Sequence, residues 1–332
     1  MTGMLTLFAR MVLPTKASML AALCILAAVG VGPAPAQQAQ SPPQDPDTLD
    51  PTPPGSLNPE PLPPLANPNA PNLPARELFA RKTTPFPGPP RSIGGYGEGC
   101  LIGAVQMPMD GPTWQVMRPS RNRNWGHPNL VDFLKRFADN AKAIGWNGLL
   151  IGDMSQPRGG PMTNGHTSHQ VGLDADIWFS PMPDHVQSRE EREFSFPDDV
   201  VAKNMLDVDP KIWTHARTDL LRTAAEDPAV TRIFVNPAIK KALCRESGPN
   251  RAWLAKVRPW YFHAAHFHLR IDCPADSDQC KPQPPVSPGD GCGAEVDGWI
   301  KKAMNVRPSG GPTGGRTLAS LPSACRVVVG AP

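Results

Sequence analysis

A chain of 332 residues, 40% apolar and 19% charged, is long enough for one or two domains with a sizeable core. Its 43 prolines, about 13% against roughly 5% in ordinary chains, exclude a helical bundle and a packed globule throughout. A formal net charge of +3 excludes the concentrated positive field that a nucleic-acid partner needs.

The first 36 residues read as a secretory signal peptide. Arg10 and Lys16 are their only charges, an apolar run extends from Ala17 to Val31, and Ala34-Pro35-Ala36 supplies a small-x-small cleavage site. A run of about 15 residues falls short of the roughly 20 in a membrane-spanning helix, so cleavage after Ala36 and no stable membrane insertion afterwards are expected. Cleavage removes two of the 33 basic residues and none of the 30 acidic ones, which leaves 31 against 30, or +1. Cys24 goes with the signal. Cys100, Cys244, Cys273, Cys280, Cys292 and Cys325 remain, and an even number in an exported chain reads as a disulfide set formed in an oxidising compartment.

Residues 37–92 read as a spacer, since 17 prolines fall in the 50 positions from Ser41 to Pro90 and favour an extended, polyproline-like tether. Residues 93–325 follow as one folded domain, and 326–332 as a C-terminal tail. From Pro128 to Ile144, Leu130, Val131, Phe133, Leu134, Phe137, Ala138 and Ala141 recur at helical spacing, with Gly145 placed to end the helix. Leu149-Leu150-Ile151 reads as a short buried strand. Thr231–Val235 reads as another, with Pro237 opening a helix that runs to about Cys244. Helices and strands mix without a strand-helix rhythm, which predicts an α+β domain.

Five of the eight histidines fall in two clusters. The first lies in Gly165-His-Thr-Ser-His-Gln-Val-Gly-Leu-Asp-Ala-Asp-Ile-Trp178, where alternation puts Leu173, Ala175 and Ile177 on one strand face and Asp174 and Asp176 on the other. Two carboxylates on one face of a buried strand are costly unless a cation meets them. The second is His263-Ala-Ala-His266-Phe-His268-Leu-Arg270-Ile271, which puts His266, His268 and Arg270 on one face. Imidazole and carboxylate suit zinc, and a catalytic zinc site keeps one position open. There is no His-Glu-x-x-His, and neither cluster holds cysteine, so a helix-based metalloprotease and a zinc finger are both excluded. His127, before the Pro128 helix, either lines a groove or is a turn residue. His185 and His215 read as surface residues, and Arg270 either meets a substrate carboxylate or pairs with Asp174.

His169, Asp176 seven positions later and a His-x-His about ninety residues on resemble the metal signature of the lysostaphin, D-Ala-D-Ala carboxypeptidase and hedgehog group. Within it the chain is most similar to the penicillin-insensitive murein endopeptidases, through the first cluster, Val230–Lys240, Lys256-Val-Arg-Pro-Trp260 and His266–Ser277. This resemblance spans residues 91–325. It implies a zinc endopeptidase of the periplasm acting on peptidoglycan stem-peptide cross-links, the D-alanyl-meso-diaminopimelate bond above all. It further implies zinc ligands His169, Asp176 and His268, with His166 either a further ligand or a support behind one, the remaining active-site histidines His266 and His263, which are expected to transfer protons, and disulfides Cys100–Cys325, Cys244–Cys292 and Cys273–Cys280. Asp174 is expected to support a histidine ligand through a hydrogen bond. The expected fold is a single disulfide-stapled domain whose central antiparallel sheet carries the ligands. One departure concerns a second zinc, linked in the family to a homodimer contact: no histidine lies between Val200 and Pro210, which leaves that site and the homodimer open. Two rival functions share the ligands, a D-alanyl-D-alanine carboxypeptidase and a non-catalytic wall-binding module.

Overall fold

The computed structural model describes residues 57–163, 166–305 and 315–330. The signal peptide, the first part of the tether and most of the Gly/Pro-rich stretch from Pro308 to Arg316 lie outside the described residues. Among the described residues, no helix is long and apolar enough to cross a membrane.

In chain order the main elements are helix α1 (Ala75–Phe79), strands β1 (Arg91–Gly95), β2 (Glu98–Ile102), β3 (Val105–Gln106), β4 (Asp110–Gly111), β5 (Trp114–Val116) and β6 (Trp125–Gly126) and helix α2 (Pro128–Ala143). Strands β7 (Leu149–Ile151) and β8 (Asp174–Pro181), helices α3 (Arg189–Phe194) and α4 (His215–Glu226), strand β9 (Val230–Val235) and helix α5 (Pro237–Glu246) follow. Strands β10 (Val257–Pro259) and β11 (His266–Ile271) and helices α6 (Ala294–Ala303) and α7 (Ala324–Gly330) complete the set.

Among the described residues, seven strands form one sheet in the order β10-β9-β11-β8-β7-β5-β4. The α+β class matches the expectation. The middle strands β9, β11, β8 and β7 pair antiparallel, but β10 pairs with β9, and β5 with β7, in parallel. The sheet is therefore mixed, because a parallel pair needs a crossover and the chain supplies one helix for each: α5 between β9 and β10, and α2 between β5 and β7.

The helices begin where the sequence places their caps. Pro128 and Pro237 occupy first-turn positions, the side chain of Asn236 accepts from the Ala238 N–H at 3.0 Å, and that of His127 accepts from the Asn129 N–H at 3.2 Å. Ser188 and Glu191 close a reciprocal capping box on α3. Leu173, Ala175 and Ile177 join Phe267, Leu269 and Ile271 in the main core, with Phe267 edge-on to Phe137 of α2 at 6.4 Å.

Two boundaries differ from expectation. Packed structure begins before residue 93: Ala75 and Phe79 of α1 are fully buried in a second core with Ile93, Cys100, Leu321, Cys325, Val328 and Val329. Residues 326–330 are likewise no tail but the body of α7. Burial of its apolar side and a hydrogen bond from Arg158 Nη1 to Val328 O at 2.9 Å hold it in place. Cys100–Cys325 ties these ends together, and Cys244–Cys292 and Cys273–Cys280 complete the three pairings that the family resemblance implies.

Lys240 of α5 is fully buried and donates to Leu254 O at 2.7 Å and Asp290 O at 2.5 Å. Burial, aided by the positive charge of Arg258, pushes its ammonium down to about 7 from 10.5. The unfolded chain therefore holds the extra proton between those values, and its share of folding stability rises as pH climbs from 7 towards 10.5. Urea denaturation of Lys240→Met at pH 7 and about pH 9 should show a smaller rise in unfolding free energy than the wild-type chain.

Candidate metal centre

Strands β8 and β11 pair with His268 opposite Asp176 and Arg270 opposite Asp174, so the polar faces of two strands far apart in sequence form one surface. The loop before β8 brings His166 and His169 over that surface. His169 is buried with backbone φ 63°, a left-handed conformation uncommon for a side chain of this size. Two hydrogen bonds hold it there: its N–H donates to Asp174 Oδ2 at 2.9 Å and its Nδ1–H to Met154 O at 2.6 Å. The second bond fixes the tautomer, because a carbonyl can only accept, and leaves the Nε2 lone pair facing the site.

Around that lone pair three ligand-type atoms converge. His169 Nε2 lies 3.1 Å from His268 Nδ1 and 3.3 Å from Asp176 Oδ1, and the last two are 3.4 Å apart. Three vertices of a tetrahedral zinc site with ligand distances of about 2.0–2.2 Å would be roughly 3.3–3.6 Å apart. Asp176 Oδ1 is buried without a hydrogen-bond partner, a costly arrangement that a cation there would relieve. The donor set and its spacing thus fit zinc. His166 completes a group with His169 and Asp176 whose ligand atoms all lie within 4.8 Å of one another; its Nδ1 is 3.5 Å from Asp176 Oδ2.

Charges around the centre are set by its neighbours. Burial pushes the Asp174 carboxyl up, but Arg270 and His268 hold it well below the usual carboxylate range. Arg270 Nε and Nη2 donate to its two oxygens at 2.7 and 3.1 Å. Asp174 Oδ1 also lies 3.2 Å from His268 Nε2, so one carboxylate steadies the backbone of His169 and faces the ring of His268. Burial pushes His268 and His266 down to about 4 and His263 to about 3, so all three imidazoles are neutral at pH 7. Burial opposes the charge on His169 too, yet Asp176, Asp174 and Asp153 together raise it.

His266 Nε2 is 3.9 Å from Asp176 Oδ2, and the His263 ring lies 5.1 Å from that of His266. His263 returns through a turn in which it and Phe262 both have positive φ, 53° and 62°. Its Nδ1–H donates to Tyr261 O at 2.7 Å, which leaves Nε2 free to accept. An open groove of about 810 Å³ runs over these residues and carries Arg118, Arg121, Lys281 and Arg316 against Glu98 along its walls.

One participant is missing from the sequence reading. Asp153, just after β7, accepts from Arg121 at 3.2 Å and Arg123 at 2.8 Å, and His166 Nε2 lies 3.0 Å from the same oxygen. Burial pushes its carboxyl up, and the two guanidiniums hold it well below the usual range. The remaining histidines stand apart. His127 is the buried cap of α2, 3.4 Å from Asp276, and does not line the groove. His185 and His215 are exposed beside Glu191 and Asp219, and Arg270 is engaged by Asp174.

Comparison with known proteins places this centre in context. Residues 92–330 match the family model described as penicillin-insensitive murein endopeptidase. A Yersinia enterocolitica protein of that name is 45% identical over 248 residues, covering 74% of this chain and 88% of that protein. Those of Pectobacterium atrosepticum and Klebsiella pneumoniae are 44% and 42% identical over 247 residues, again 74% of this chain and 86% and 89% of theirs. The match runs through both histidine clusters and every element that positions them, so the chain belongs to the penicillin-insensitive murein endopeptidase family.

Proposed function

We propose that this chain is an exported, zinc-dependent endopeptidase that hydrolyses peptide cross-links of peptidoglycan, with the D-alanyl-meso-diaminopimelate bond as its target. The observation that carries the reading is the convergence of His169 Nε2, His268 Nδ1 and Asp176 Oδ1 beneath an open groove. Membership of a family named for murein endopeptidase activity supports the substrate class.

His169, Asp176 and His268 would hold the metal, with His166 as a further ligand. When bound there, zinc would supply a Lewis acid that polarises a carbonyl oxygen and lowers the pKa of a water towards about 7. Asp174 and Asp153 orient the ligand histidines from behind, as outer carboxylates commonly do. His266, 11% exposed and neutral, takes a proton from the attacking water and returns it to the leaving amine; His263 is the other candidate. Once it carries that proton, the His266 imidazole can donate to the oxyanion as the carbonyl becomes tetrahedral. No serine nucleophile takes part, so an acylating antibiotic such as penicillin has nothing to modify. The signal-like residues 1–36 would deliver the chain to the periplasm and the proline-rich stretch would give it reach.

Incubating the purified protein with cross-linked sacculi, with and without a chelator, tests this reading. New amino groups on diaminopimelate are expected, and they should disappear with chelator and return with zinc. Dimers that survive while pentapeptides lose a terminal D-alanine would establish the carboxypeptidase reading instead, and chelator-resistant cleavage would remove the zinc.

A further inference from the structure

A ladder of aromatic rings leads from the centre to the rim of the groove. The Phe234 ring is edge-on to His268 at 5.4 Å and to Trp260 at 6.0 Å. Trp260 in turn meets Trp299 of α6 at 5.6 Å and Tyr261 at 5.9 Å, and those two lie 5.3 Å apart. Trp260 is 46% exposed, an unusual outlay for the largest apolar side chain. Local backbone geometry holds it there: the Trp260 backbone N–H donates to Val235 O at 2.9 Å, and the left-handed turn at Phe262 and His263 sends the chain back towards the centre. Lys302 Nζ lies 5.2 Å over one face of the Trp299 ring, and Arg258 pairs with Glu295 nearby, so charged groups stand beside the exposed Trp260.

We infer that Trp260, Tyr261 and Trp299 form a platform that binds a sugar ring of the glycan strand bearing the stem peptide under attack. A pyranose has an apolar C–H face that packs on the electron-rich face of an aromatic ring, while its equatorial hydroxyls point outward to groups such as Lys302 and Arg258. The spacing agrees. The two ring-to-ring steps put Trp260 no further than about 11 Å from His268, and about three extended peptide residues, the stem between a cross-linked residue and its sugar, span roughly 10 Å. A peptide side chain seated on the platform would not need so broad a cluster. This inference rests on the cross-link reading above and adds the glycan to what the enzyme recognises.

The test compares two substrates with the same cross-link, a dimer still carrying its N-acetylglucosamine–N-acetylmuramic acid units and the sugar-free peptide dimer. The wild-type chain should prefer the glycan-bearing dimer through a lower KM. In Trp260→Ala and Trp299→Ala the ratio of kcat/KM values between the two substrates should fall about tenfold, and Trp260→Phe should restore most of it. Quenching of wild-type tryptophan fluorescence by N-acetylglucosamine oligomers, lost in Trp260→Ala, is the expected direct signal. Equal loss on both substrates, or an unchanged ratio, would overturn the platform. Failure of the wild-type chain to cut either dimer would instead overturn the cross-link reading.

Discussion

His169→Asn is expected to reduce cleavage of cross-linked peptide by about a thousandfold or more while leaving the fold intact. His169 sits at φ 63°, where alanine would add backbone strain, whereas asparagine tolerates the left-handed region. The substitution therefore removes one of the three convergent ligand atoms with little conformational cost. Lewis-acid stabilisation of several kcal/mol would be lost with the metal, and each ~1.4 kcal/mol is a factor of ten in rate. Metal analysis of dialysed protein should give close to one zinc per wild-type chain and less than about a tenth of that in the variant, with nearly equal melting temperatures. Full activity of a metal-free, folded His169→Asn protein would sink the metallopeptidase reading.

Arg270→Met should be the most destabilising single change at the site, by about 3–5 kcal/mol, because it leaves the Asp174 carboxylate buried without its cation. Asp174 is fully buried, and its oxygens accept from Arg270 and from the His169 backbone. Arg270 also lies over the Tyr96 ring at 4.0 Å, so part of the loss is packing. In the double variant Arg270→Met/Asp174→Asn the buried charge is gone, and the loss should be smaller than in Arg270→Met alone. A denaturant series on the two single variants and the double measures this coupling. Additive losses would show that the pair is not coupled.

How much of this arrangement can be read from the chain depends on how local its cause is. Helix α2 follows from apolar spacing and Pro128, and the alternation from Leu173 to Ile177 separates core from site as the structure does. Pairing of the two histidine clusters came from the family resemblance, since period-two faces predict which side chains share a side but not which strands are neighbours. Asp153 had no signal of its own: it lies in an irregular stretch after β7, and its partners Arg121, Arg123 and His166 are remote in sequence. Helix α1 is a single short turn inside a proline-rich stretch, too brief to show a period, and only its contact with α7 and Cys100–Cys325 reveals Phe79 as core. The parallel edges of the sheet were likewise hidden, because strand direction depends on where the connecting helices cross.

The two convergent imidazoles, His169 and His268, stand 99 residues apart in the chain and meet only because β8 and β11 are adjacent at the middle of the sheet. Such a pairing closes a long loop, an event that comes late and slowly in folding. A growing or clipped polypeptide that has not joined these strands lacks His268 beside His169 and Asp176, and so one of the three convergent ligand-type atoms. On the proposed metal-dependent reading, cleavage of murein would begin only with the completed sheet.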